Sequence, residues 1–338
     1  MKAIQVVKPG QIEIVSKPVP EIVHPDDILV KTKAVGICYS DIHIYHGTSP
    51  FAVYPRVIGH EVVGIVEKIG SAASKLKVGD PVVLEPIDPC GECYACRIGR
   101  PNVCAKLQVR GVNNDGGFQE YFIARESKLH RFPETISWTD AVMLEPFTIG
   151  AQICFRGDVR ANDLVLIIGA GPTGLSALEN AKITGATCIV SDINNNRLRF
   201  AREFGADYTF NPQEVDLFQA ISELSNGMMC NVVVDAAGTP ETLEQGMSLA
   251  SVAGRIVNIG FTDTTAKVSM LEITRKELSL VGSRLQTFQF EKCIGLFSTR
   301  KINTTRLITH VFPFQDIAKA IELIESKDQS VGKIILTF

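Results

Sequence analysis

Four cysteines that lie close together are the first residues whose type and spacing point to chemistry. They follow the pattern Cys-x-x-Cys-x-x-Cys with a fourth cysteine further along, and they are Cys90, Cys93, Cys96 and Cys104. Four thiolates in a tetrahedron form a closed structural zinc site. Similar spacing occurs in iron–sulfur proteins, but there the fourth cysteine follows at short range and precedes a proline. We therefore predict a structural zinc lobe over residues 88–106, and the polar residues between the cysteines disfavour four free core thiols.

A second, looser group combines a thiol, an imidazole and two carboxylates. Gly59-His60-Glu61 lies between apolar runs, where two polar side chains are poorly placed unless something binds them. Cys38 alone is typical of a small buried hydrophobic residue, and Glu145, before a proline, is typical of a solvated turn. Together, these thiol, imidazole and carboxylate groups are the mixed ligands of a catalytic zinc with one open coordination position. The group predicts such a site.

A glycine-rich turn at Gly169 has the pattern of a dinucleotide-binding site. The stretch Gly169-Ala-Gly171-Pro172-Thr173-Gly174 follows an apolar strand pattern and opens a helix pattern, which is the context that makes this motif informative. Its glycines permit a tight turn, a close approach of backbone to pyrophosphate, and close packing of helix on strand. The helix N-terminus offers N–H groups to the phosphates, and Pro172 needs no donor in the first turn. The alternative is a turn of the same shape that binds nothing.

An acidic residue after the next predicted strand indicates which dinucleotide binds. Asp192 lies close to the roughly 20-residue offset of the residue that binds the adenosine ribose. A carboxylate there accepts hydrogen bonds from the ribose hydroxyls and repels a 2′-phosphate, so the pattern favours NAD over NADP. Arg197 could serve a phosphate, but its place inside the next predicted helix is more typical of packing against the adenosine. Ile259 and Gly260, which end a later predicted strand, are further candidates for cofactor contact.

Secondary-structure patterns divide the chain into a β domain and an α/β domain. Short strands separated by turns over the first ~150 residues are typical of a β-barrel-like domain. Strands that then alternate with helices predict right-handed βαβ units and a parallel sheet. The predicted strands are 28–35, 62–69, 81–84, 164–168, 187–190, 232–235, 255–260 and 332–336, and the predicted helices include 239–253, 288–298 and 314–325. We predict a discontinuous first domain over residues 1–147 and 286–338, and an α/β domain over 148–285.

Length and composition limit the classes of function. A chain of 338 residues exceeds one typical domain. The formal net charge of −3 and the pI of about 6.1 provide no basic surface for nucleic acid or an anionic membrane. The first residues lack the apolar core of a secretory signal, and no stretch approaches the roughly 20 apolar residues of a membrane span. We expect a cytoplasmic protein that acts on a small molecule and has no nucleic-acid or membrane partner.

The joint occurrence of these motifs resembles the zinc-dependent medium-chain dehydrogenase/reductase family. Gly59-His60-Glu61-Val-Val-Gly64, with Gly70 and then Gly79-Asp80, is similar to the zinc signature of that family. The stretch Gly36-Ile-Cys38-Tyr-Ser40-Asp41-x-His43 is similar to its first-ligand segment. The four-cysteine lobe and the glycine-rich turn follow in the order of the family. The resemblance covers essentially the whole chain.

The resemblance implies a fold, a metal content and a cofactor. A GroES-like β-barrel catalytic domain would be joined to a Rossmann domain with a doubly wound parallel sheet, and each subunit would bind NAD and two zinc ions, one catalytic and one structural. Cys38 and His60 would bind the catalytic zinc. Leu144-Glu145-Pro146 is similar to the polyol dehydrogenase branch, in which Glu61 or Glu145 reaches the metal directly or through water.

The family also implies a proton relay and an assembly. Ser40 and His43 fall where the family keeps its relay, although each alone would fit a solvated turn. The relay would carry the alcohol proton through Ser40 and the nicotinamide ribose to His43 and solvent. Family members form homodimers or homotetramers, and we expect one of these states.

Further stretches resemble one subgroup, the bacterial starvation-sensing and hexonate 5-dehydrogenases. They are residues 54–61, 145–149 and 307–310. The subgroup implies oxidation of a sugar acid such as L-gulonate or L-galactonate at C5. Arg284 lies where polyol dehydrogenases place an arginine at the active site, and a guanidinium could pair bidentately with a hexonate carboxylate. Arg56 and Arg110 are weaker candidates, and the alternative for all three is a surface or interface arginine.

Two other kinds of function stay open at this point. The nearest is a sorbitol-type polyol or L-threonine dehydrogenase with the same machinery. The other is a regulatory protein that keeps the fold and senses NAD. A protein that only binds a dinucleotide would not require the thiol, hydroxyl, imidazole and carboxylate groups of the predicted catalytic site, which favours an enzyme.

Overall fold

The chain folds into two units in this computed structural model, which describes residues 1–302, 307–326 and 331–338. Unit 1 comprises Met1–Glu145 and Phe290–Phe338, and unit 2 comprises Pro146–Gln289. No helix in the described part of the chain is long and apolar enough to span a membrane.

The helices and strands follow one another along the chain from unit 1 into unit 2 and back into unit 1. The first segment of unit 1 contains β1 (Lys2–Lys8), β2 (Gln11–Ser16), β3 (Asp27–Gly36), α1 (Tyr39–His46), β4 (Arg56–Val57), β5 (Glu61–Ile69), β6 (Pro81–Leu84), β7 (Ile87–Asp88), α2 (Tyr94–Arg97), β8 (Gln108–Val109), β9 (Tyr121–Arg125), β10 (Leu129–Arg131) and α3 (Trp138–Val142). The boundary with unit 2 falls within α4 (Leu144–Arg156). Unit 2 continues with β11 (Leu164–Ile168), α5 (Pro172–Thr184), β12 (Thr187–Ser191), α6 (Asn195–Glu203), β13 (Tyr208–Phe210), α7 (Leu217–Leu224), β14 (Cys230–Asp235), α8 (Pro240–Leu249), β15 (Ala250–Asn258), α9 (Met270–Lys276) and β16 (Ser279–Gly282). The second segment of unit 1 contains α10 (Phe290–Ser298), β17 (Ile308–Pro313), α11 (Ile317–Glu325) and β18 (Lys333–Thr337).

Unit 1 is built around a seven-stranded sheet in the order β10-β6-β5-β3-β18-β17, with β9 also paired to β3. Strand β3 pairs antiparallel with β5, β9 and β18. Its apolar residues Ile28, Val30 and Val35 are fully buried in the core of the unit. Lys31 is exposed and Lys33 is half-buried, so the polar positions of β3 fall where the strand reaches the surface of the unit. Strand β18 brings the C-terminal residues beside the end of β3, next to the first-ligand segment.

Unit 2 contains a parallel six-stranded sheet in the order β13-β12-β11-β14-β15-β16. The order reverses direction at β11, as in doubly wound sheets, where the dinucleotide lies outside the carboxyl ends of the strands. Helices between the strands cover the sheet, so the interior of β11 and β14 consists of buried valine, leucine and isoleucine. The prediction of a β domain followed by a doubly wound parallel sheet is confirmed.

The predicted helix over residues 239–253 is wrong in its last part. Helix α8 ends at Leu249, and Ala250 is extended, with φ −75° and ψ 142°, and begins β15. Pairing of β15 with β14 outweighs the helical preference of the sequence. The other late elements shift slightly: α10 begins two residues late, after Phe288 with φ +54°. A short 3₁₀ turn at Phe314–Asp316 precedes α11.

Candidate functional site

Two adjacent segments bring Cys38, His60 and Glu61 together in unit 1. Cys38 caps the N-terminus of α1, and Glu61 begins β5. Gly59 has φ +93°, and a Cβ there would overlap the ring of Phe118, so the residue before His60 must be glycine. The ligand atoms of Cys38, His60 and Glu61 all lie within 4.8 Å of one another. This geometry provides one thiol, one imidazole and one carboxylate at a single point.

Asp41 ties the two ligand segments together, a role that the sequence analysis missed. Its side chain is completely buried. One carboxylate oxygen accepts a hydrogen bond from the backbone N–H of Cys38 (2.9 Å), and the other accepts one from Gly59 N–H (3.1 Å). The second oxygen also lies 3.8 Å from Nδ1 of His60. Burial raises the pKa of Asp41, against the lowering effect of His60 and the two N–H donors. The available signal was its place three residues after a helix N-cap.

The imidazole of His60 is surrounded by acidic groups. Burial lowers the pKa of His60, but the thiol of Cys38, with its hydrogen bond, and the carboxylates of Asp41 and Glu145 outweigh this and raise it well above 6.5. Nδ1 of His60 is buried without a hydrogen-bond partner among the described residues. Acidic groups concentrated around one imidazole form an environment that a divalent cation neutralises. Thiolate, imidazole and carboxylate are also the donors that zinc prefers, so these residues fit a zinc ion.

Glu61 is paired with a buried lysine from the far end of the chain. Nζ of Lys333 lies 2.6 and 2.8 Å from the two carboxylate oxygens of Glu61, and 3.4 Å from the carbonyl of Ile37. Burial lowers the pKa of Lys333, but the charge of Glu61 with its hydrogen bond, together with the charges of Cys38 and Glu145, outweighs this and raises it. Gly36 makes room for this pair, because a Cβ there would overlap the carboxylate of Glu61. Sequence analysis missed Lys333, which is separated from Glu61 by 272 residues and has no local motif.

Glu145 is buried close to the same charges but outside the set of ligand atoms that meet within 4.8 Å. Burial raises the pKa of Glu145 to about 7, an effect that His60 and Lys333 oppose and that Glu61 and Asp41 reinforce. The structure therefore brings Glu61 to the thiol and the imidazole directly. Glu145 lies within electrostatic range of the imidazole.

The two predicted relay residues share one face of α1. Ser40 and His43 are three residues apart, a spacing that places side chains as neighbours along a helix. Ser40 is half-buried and His43 is exposed. The imidazole of His43 contacts Thr48 through Nδ1, at 2.9 Å from Oγ1.

The four-cysteine lobe forms a separate cluster in unit 1. The described Sγ–Sγ distances are 3.4 Å for Cys90 and Cys104, 3.6 Å for Cys93 and Cys96, and 3.9 Å for Cys93 and Cys104. Ligands at the Zn–S distance of about 2.3 Å in a tetrahedron lie about 3.8 Å apart. Backbone N–H groups of Cys96 and Ala105 lower the pKa of Cys93 to about 6, which favours the thiolate. The lobe thus has the dimensions of a zinc–tetrathiolate site.

The glycine-rich turn in unit 2 joins β11 to α5. Gly169 has φ +102°, and a Cβ on Gly174 would overlap the carbonyl oxygen of Gly169. A Cβ on Gly171 would meet nothing within 4 Å, so space is open on that side of the turn. Pro172 and Thr173 form the first residues of α5, whose N-cap, Gly171, has no side-chain hydrogen bond. The N–H groups at the start of α5 are therefore available to an anion.

Asp192 follows β12 and is hydrogen-bonded to the glycine-rich turn. Its carboxylate oxygens accept hydrogen bonds from Ala170 N–H and Asn194 N–H, both at 2.8 Å. Arg197 lies 3.9 Å away from the same carboxylate and is largely exposed. Ile259 and Gly260 follow β15, and Gly260 N–H donates to the side chain of Asn258 (2.9 Å). These residues all lie at the carboxyl ends of the parallel strands.

The three candidate arginines differ in how they are engaged. Arg56 and Arg110 form ion pairs inside unit 1, with Asp115 at 3.1 Å and Asp88 at 3.7 Å. Both are largely buried, which disfavours a substrate role. Arg284 belongs to unit 2, where its guanidinium lies over the ring of Phe261 at 5.2 Å and is exposed.

Comparison with known proteins identifies the family. The alcohol dehydrogenase GroES-like domain model matches residues 24–134, and the zinc-binding dehydrogenase model matches residues 172–299. Starvation-sensing protein RspB of Escherichia coli K12 is 41% identical over 100% of this chain and 99% of its own length. Sorbitol dehydrogenase of Halalkalibacterium halodurans is 33% identical over 97% of this chain and 96% of its own.

Solved structures that are similar to this chain point to the same family. The crystal structure of rspB from E. coli CFT073 in complex with NADH has a TM-score of 0.95, with 40% identity over 100% of this chain and 99% of the other. L-Idonate 5-dehydrogenase of E. coli K-12 has a TM-score of 0.90, with 25% identity over 100% and 98% of the two chains. The chain therefore belongs to the zinc-binding alcohol dehydrogenases, in which a GroES-like domain is combined with a nucleotide-binding Rossmann domain.

Proposed function

We propose that this zinc-type dehydrogenase oxidises the secondary alcohol at C5 of a hexonate, such as L-gulonate or L-galactonate, with NAD as the hydride acceptor. The observation that carries the proposal is that the ligand atoms of a half-buried thiol, a buried imidazole and a buried carboxylate lie within 4.8 Å of one another. It supports a metal-assisted oxidation, because buried ionisable groups with shifted pKa values that are concentrated at one point are typical of a functional site.

Residues of unit 1 would hold one zinc for catalysis and one for structure. Cys38 and His60, with Glu61 or Glu145, are the proposed ligands of the first, and the four-cysteine lobe is the proposed site of the second. When bound, the catalytic zinc supplies a Lewis acid that lowers the pKa of an alcohol, and NAD supplies the hydride acceptor. The pairing of Glu61 with Lys333 keeps the carboxylate charge balanced while the ligand set stays in place.

The chain itself would orient the reacting groups and move the proton. Ser40 would accept a hydrogen bond from the substrate hydroxyl, and Ser40 and His43 would carry its proton to solvent. Histidine suits the last step because its ordinary pKa is near neutrality. The N–H groups of the glycine-rich turn would bind the pyrophosphate, and Asp192 would bind the adenosine ribose and exclude a 2′-phosphate.

A carboxylate on the substrate is the feature that would distinguish a hexonate from a polyol. Arg284 is the proposed partner, since its guanidinium is exposed over the ring of Phe261. Arg56 and Arg110 are mostly buried and form ion pairs with aspartates. A structural relative that bears the name L-idonate 5-dehydrogenase supports a sugar-acid substrate. A sorbitol-type polyol dehydrogenase is the second candidate, favoured by the 33% identity to a sorbitol dehydrogenase. An L-threonine dehydrogenase would use the same machinery.

The exposed edge of the unit 2 sheet supports a homodimer, or a homotetramer built from it. Strand β16 ends the sheet and exposes Leu280, while Met270 and Leu271 of α9 are also exposed. A two-fold axis at such an edge would continue the sheet into a second copy.

A substrate panel tests the proposal. NAD reduction is measured with L-gulonate, L-galactonate, sorbitol and L-threonine, and with NADP in place of NAD. The proposed enzyme turns over a hexonate fastest, and Arg284→Ala raises KM for the hexonate about tenfold or more while sorbitol kinetics stay unchanged, because one charge-assisted bidentate pair is lost. Fastest turnover of sorbitol, or of L-threonine, contradicts the hexonate assignment.

A further inference from the structure

The end of α1 places a threonine hydroxyl on the imidazole of His43. Gly47 ends the helix in the left-handed region, with φ +76°, and its N–H donates to the carbonyl of Ile44 (3.1 Å). The N–H of Thr48 donates to the carbonyl of His43 (2.9 Å). These two bonds form a Schellman motif. The motif brings Thr48 back over His43, five residues earlier in the chain.

Gly47 is required at this point for two reasons. A residue with a side chain would be strained at this φ. A Cβ at Gly47 would also lie 2.8 Å from the ring carbons of Pro9. The position of Thr48 relative to His43 is therefore set by the backbone rather than by the rotamer of one exposed side chain.

The ring of His43 is held from two sides. Tyr39, one turn earlier on α1, packs against it edge to face, with ring centroids 5.1 Å apart and an interplanar angle of 84°. Oγ1 of Thr48 lies 2.9 Å from Nδ1 of the ring and 3.3 Å from the carbonyl oxygen of His43. With Nδ1 engaged by Thr48, Nε2 is the ring nitrogen on the opposite side.

We propose that Thr48 sets the tautomer of His43. A hydroxyl has one hydrogen and two lone pairs. When that hydrogen is directed at the carbonyl of His43, a lone pair faces Nδ1, and Nδ1 must carry the ring hydrogen. Nε2 is then the basic atom. In the opposite arrangement the hydroxyl donates to Nδ1, the ring hydrogen lies on Nε2, and Nε2 cannot accept a proton.

The assigned tautomer gives the relay a defined acceptor, and this part of the inference rests on the proposed function. The proton that leaves the substrate alcohol forms an N–H bond at Nε2, and the ring becomes an imidazolium. The Nδ1–H···Oγ1 bond to Thr48 is unchanged by this step, so the hydroxyl need not turn. Release of the proton from Nε2 to water restores the neutral ring. Thr48 is thus a positioning residue that acts through His43.

The tautomer is measured directly on the full-length protein. Long-range ¹H–¹⁵N correlation at about pH 9, above the ordinary histidine pKa of about 6.5, distinguishes Nδ1–H from Nε2–H for each of the six histidines. His43→Gln assigns the signals of His43. We expect Nδ1–H in the wild type and a shift towards Nε2–H in Thr48→Val, with Thr48→Ser like the wild type. Nε2–H in the wild type, or no change in Thr48→Val, overturns the proposal.

Kinetics of the same variants test the consequence for the relay. Thr48→Val should lower kcat about tenfold, the value of one hydrogen bond at the upper end of its usual range, with KM for NAD unchanged, and Thr48→Ser should recover most of it. Thr299→Val is the matched control, because its hydroxyl also bonds helix carbonyls, those of Gly295 and Leu296, but faces no imidazole.

The two measurements separate this inference from the proposed function. An unchanged kcat in Thr48→Val overturns the role of Thr48 in proton transfer. A protein that oxidises none of the tested alcohols, yet shows the Nδ1–H form that Thr48→Val removes, refutes the proposed function and leaves the tautomer assignment standing.

Discussion

Unit 1 contains two clusters of metal-type ligands that are built in opposite ways. The lobe takes four identical thiols from one short stretch, residues 90–104, and closes them on one another with Sγ–Sγ distances of 3.4–3.9 Å where described. The mixed site takes Cys38 from the start of α1, His60 and Glu61 from the start of β5, and a balancing lysine from β18. A closed set of four ligands suits structure, and a mixed set that leaves a position open suits chemistry.

The difference also lies in what surrounds the ligands. In the lobe, backbone N–H groups approach the sulfurs, as those of Cys90 and Lys106 approach Cys104 at 3.2 and 3.3 Å. In the mixed site, charged side chains do so: Asp41 faces His60, and Lys333 binds Glu61. Backbone donors belong to the local fold, whereas Lys333 comes from a segment 272 residues away from Glu61. Loss of a ligand from the lobe should therefore affect stability, and loss of a ligand from the mixed site should affect activity.

The largest expected effect is that of His60→Ala. The variant should lose the catalytic metal and at least about 1000-fold in kcat, since a metal supplies several kcal/mol of charge stabilisation. It should keep NADH binding, because the glycine-rich turn belongs to unit 2. Zinc content by mass spectrometry should fall from two ions per chain to one. His24→Ala, at an exposed position, is the control and should keep both. Substantial activity in His60→Ala would remove the basis of the proposed site.

Cys104→Ser should show the reverse pattern. The hydroxyl is a poor zinc ligand, so the lobe loses its ion and with it several kcal/mol of folding free energy. Thermal and urea unfolding measure that loss, while kcat per folded molecule stays within about threefold of the wild type. Cys293→Ala, a buried cysteine outside both clusters, should retain both zinc ions. A Cys104→Ser protein of normal stability but without activity would contradict the assignment of a structural role to the lobe.

The sequence was sufficient for the lobe and the nucleotide-binding half because their signals are local. Four cysteines in one stretch, and a glycine-rich turn between a strand and a helix, each carry their spacing with them. Cys38 and His60 became candidates through motifs on either side of them. Asp41 has a local signal of its own, its place three residues after the N-cap of α1.

The role of Lys333 could not be predicted from any local sequence motif. Its partner Glu61 is 272 residues away, and the two meet only because β18 pairs with β3 beside β5. A lysine at the start of an apolar strand is ordinarily a solvated end. The predicted C-terminal end of helix α8 was wrong for a related reason. The pairing of β15 with β14 begins at Ala250 and outweighs helix propensity there.

Lys333→Met tests how far the mixed site depends on that distant charge. Removal of one partner leaves a buried carboxylate unpaired, which costs about 3–5 kcal/mol. Urea unfolding should detect this loss. The double variant Lys333→Met/Glu61→Gln should recover most of it, since no buried charge is then left alone. If Lys333→Met unfolds at the same urea concentration as the wild type, the ion pair contributes nothing and the two clusters are more alike than their surroundings indicate.

Asp41→Asn should produce the smallest effect. The amide keeps one oxygen acceptor, but its NH₂ group would face either Cys38 N–H or Gly59 N–H, so one of the two bonds at 2.9 and 3.1 Å is lost. Loss of an outer hydrogen bond around a metal ligand lowers metal affinity at least about tenfold. Competition with a zinc chelator should show this for the mixed site, with the affinity of the lobe unchanged. Asp140→Asn is the matched control, since Asp140 occupies the same position after the N-cap of α3, a helix without a metal ligand. Equal loss of zinc from both clusters in Asp41→Asn would mean that Asp41 supports the fold of unit 1 as a whole rather than the mixed site.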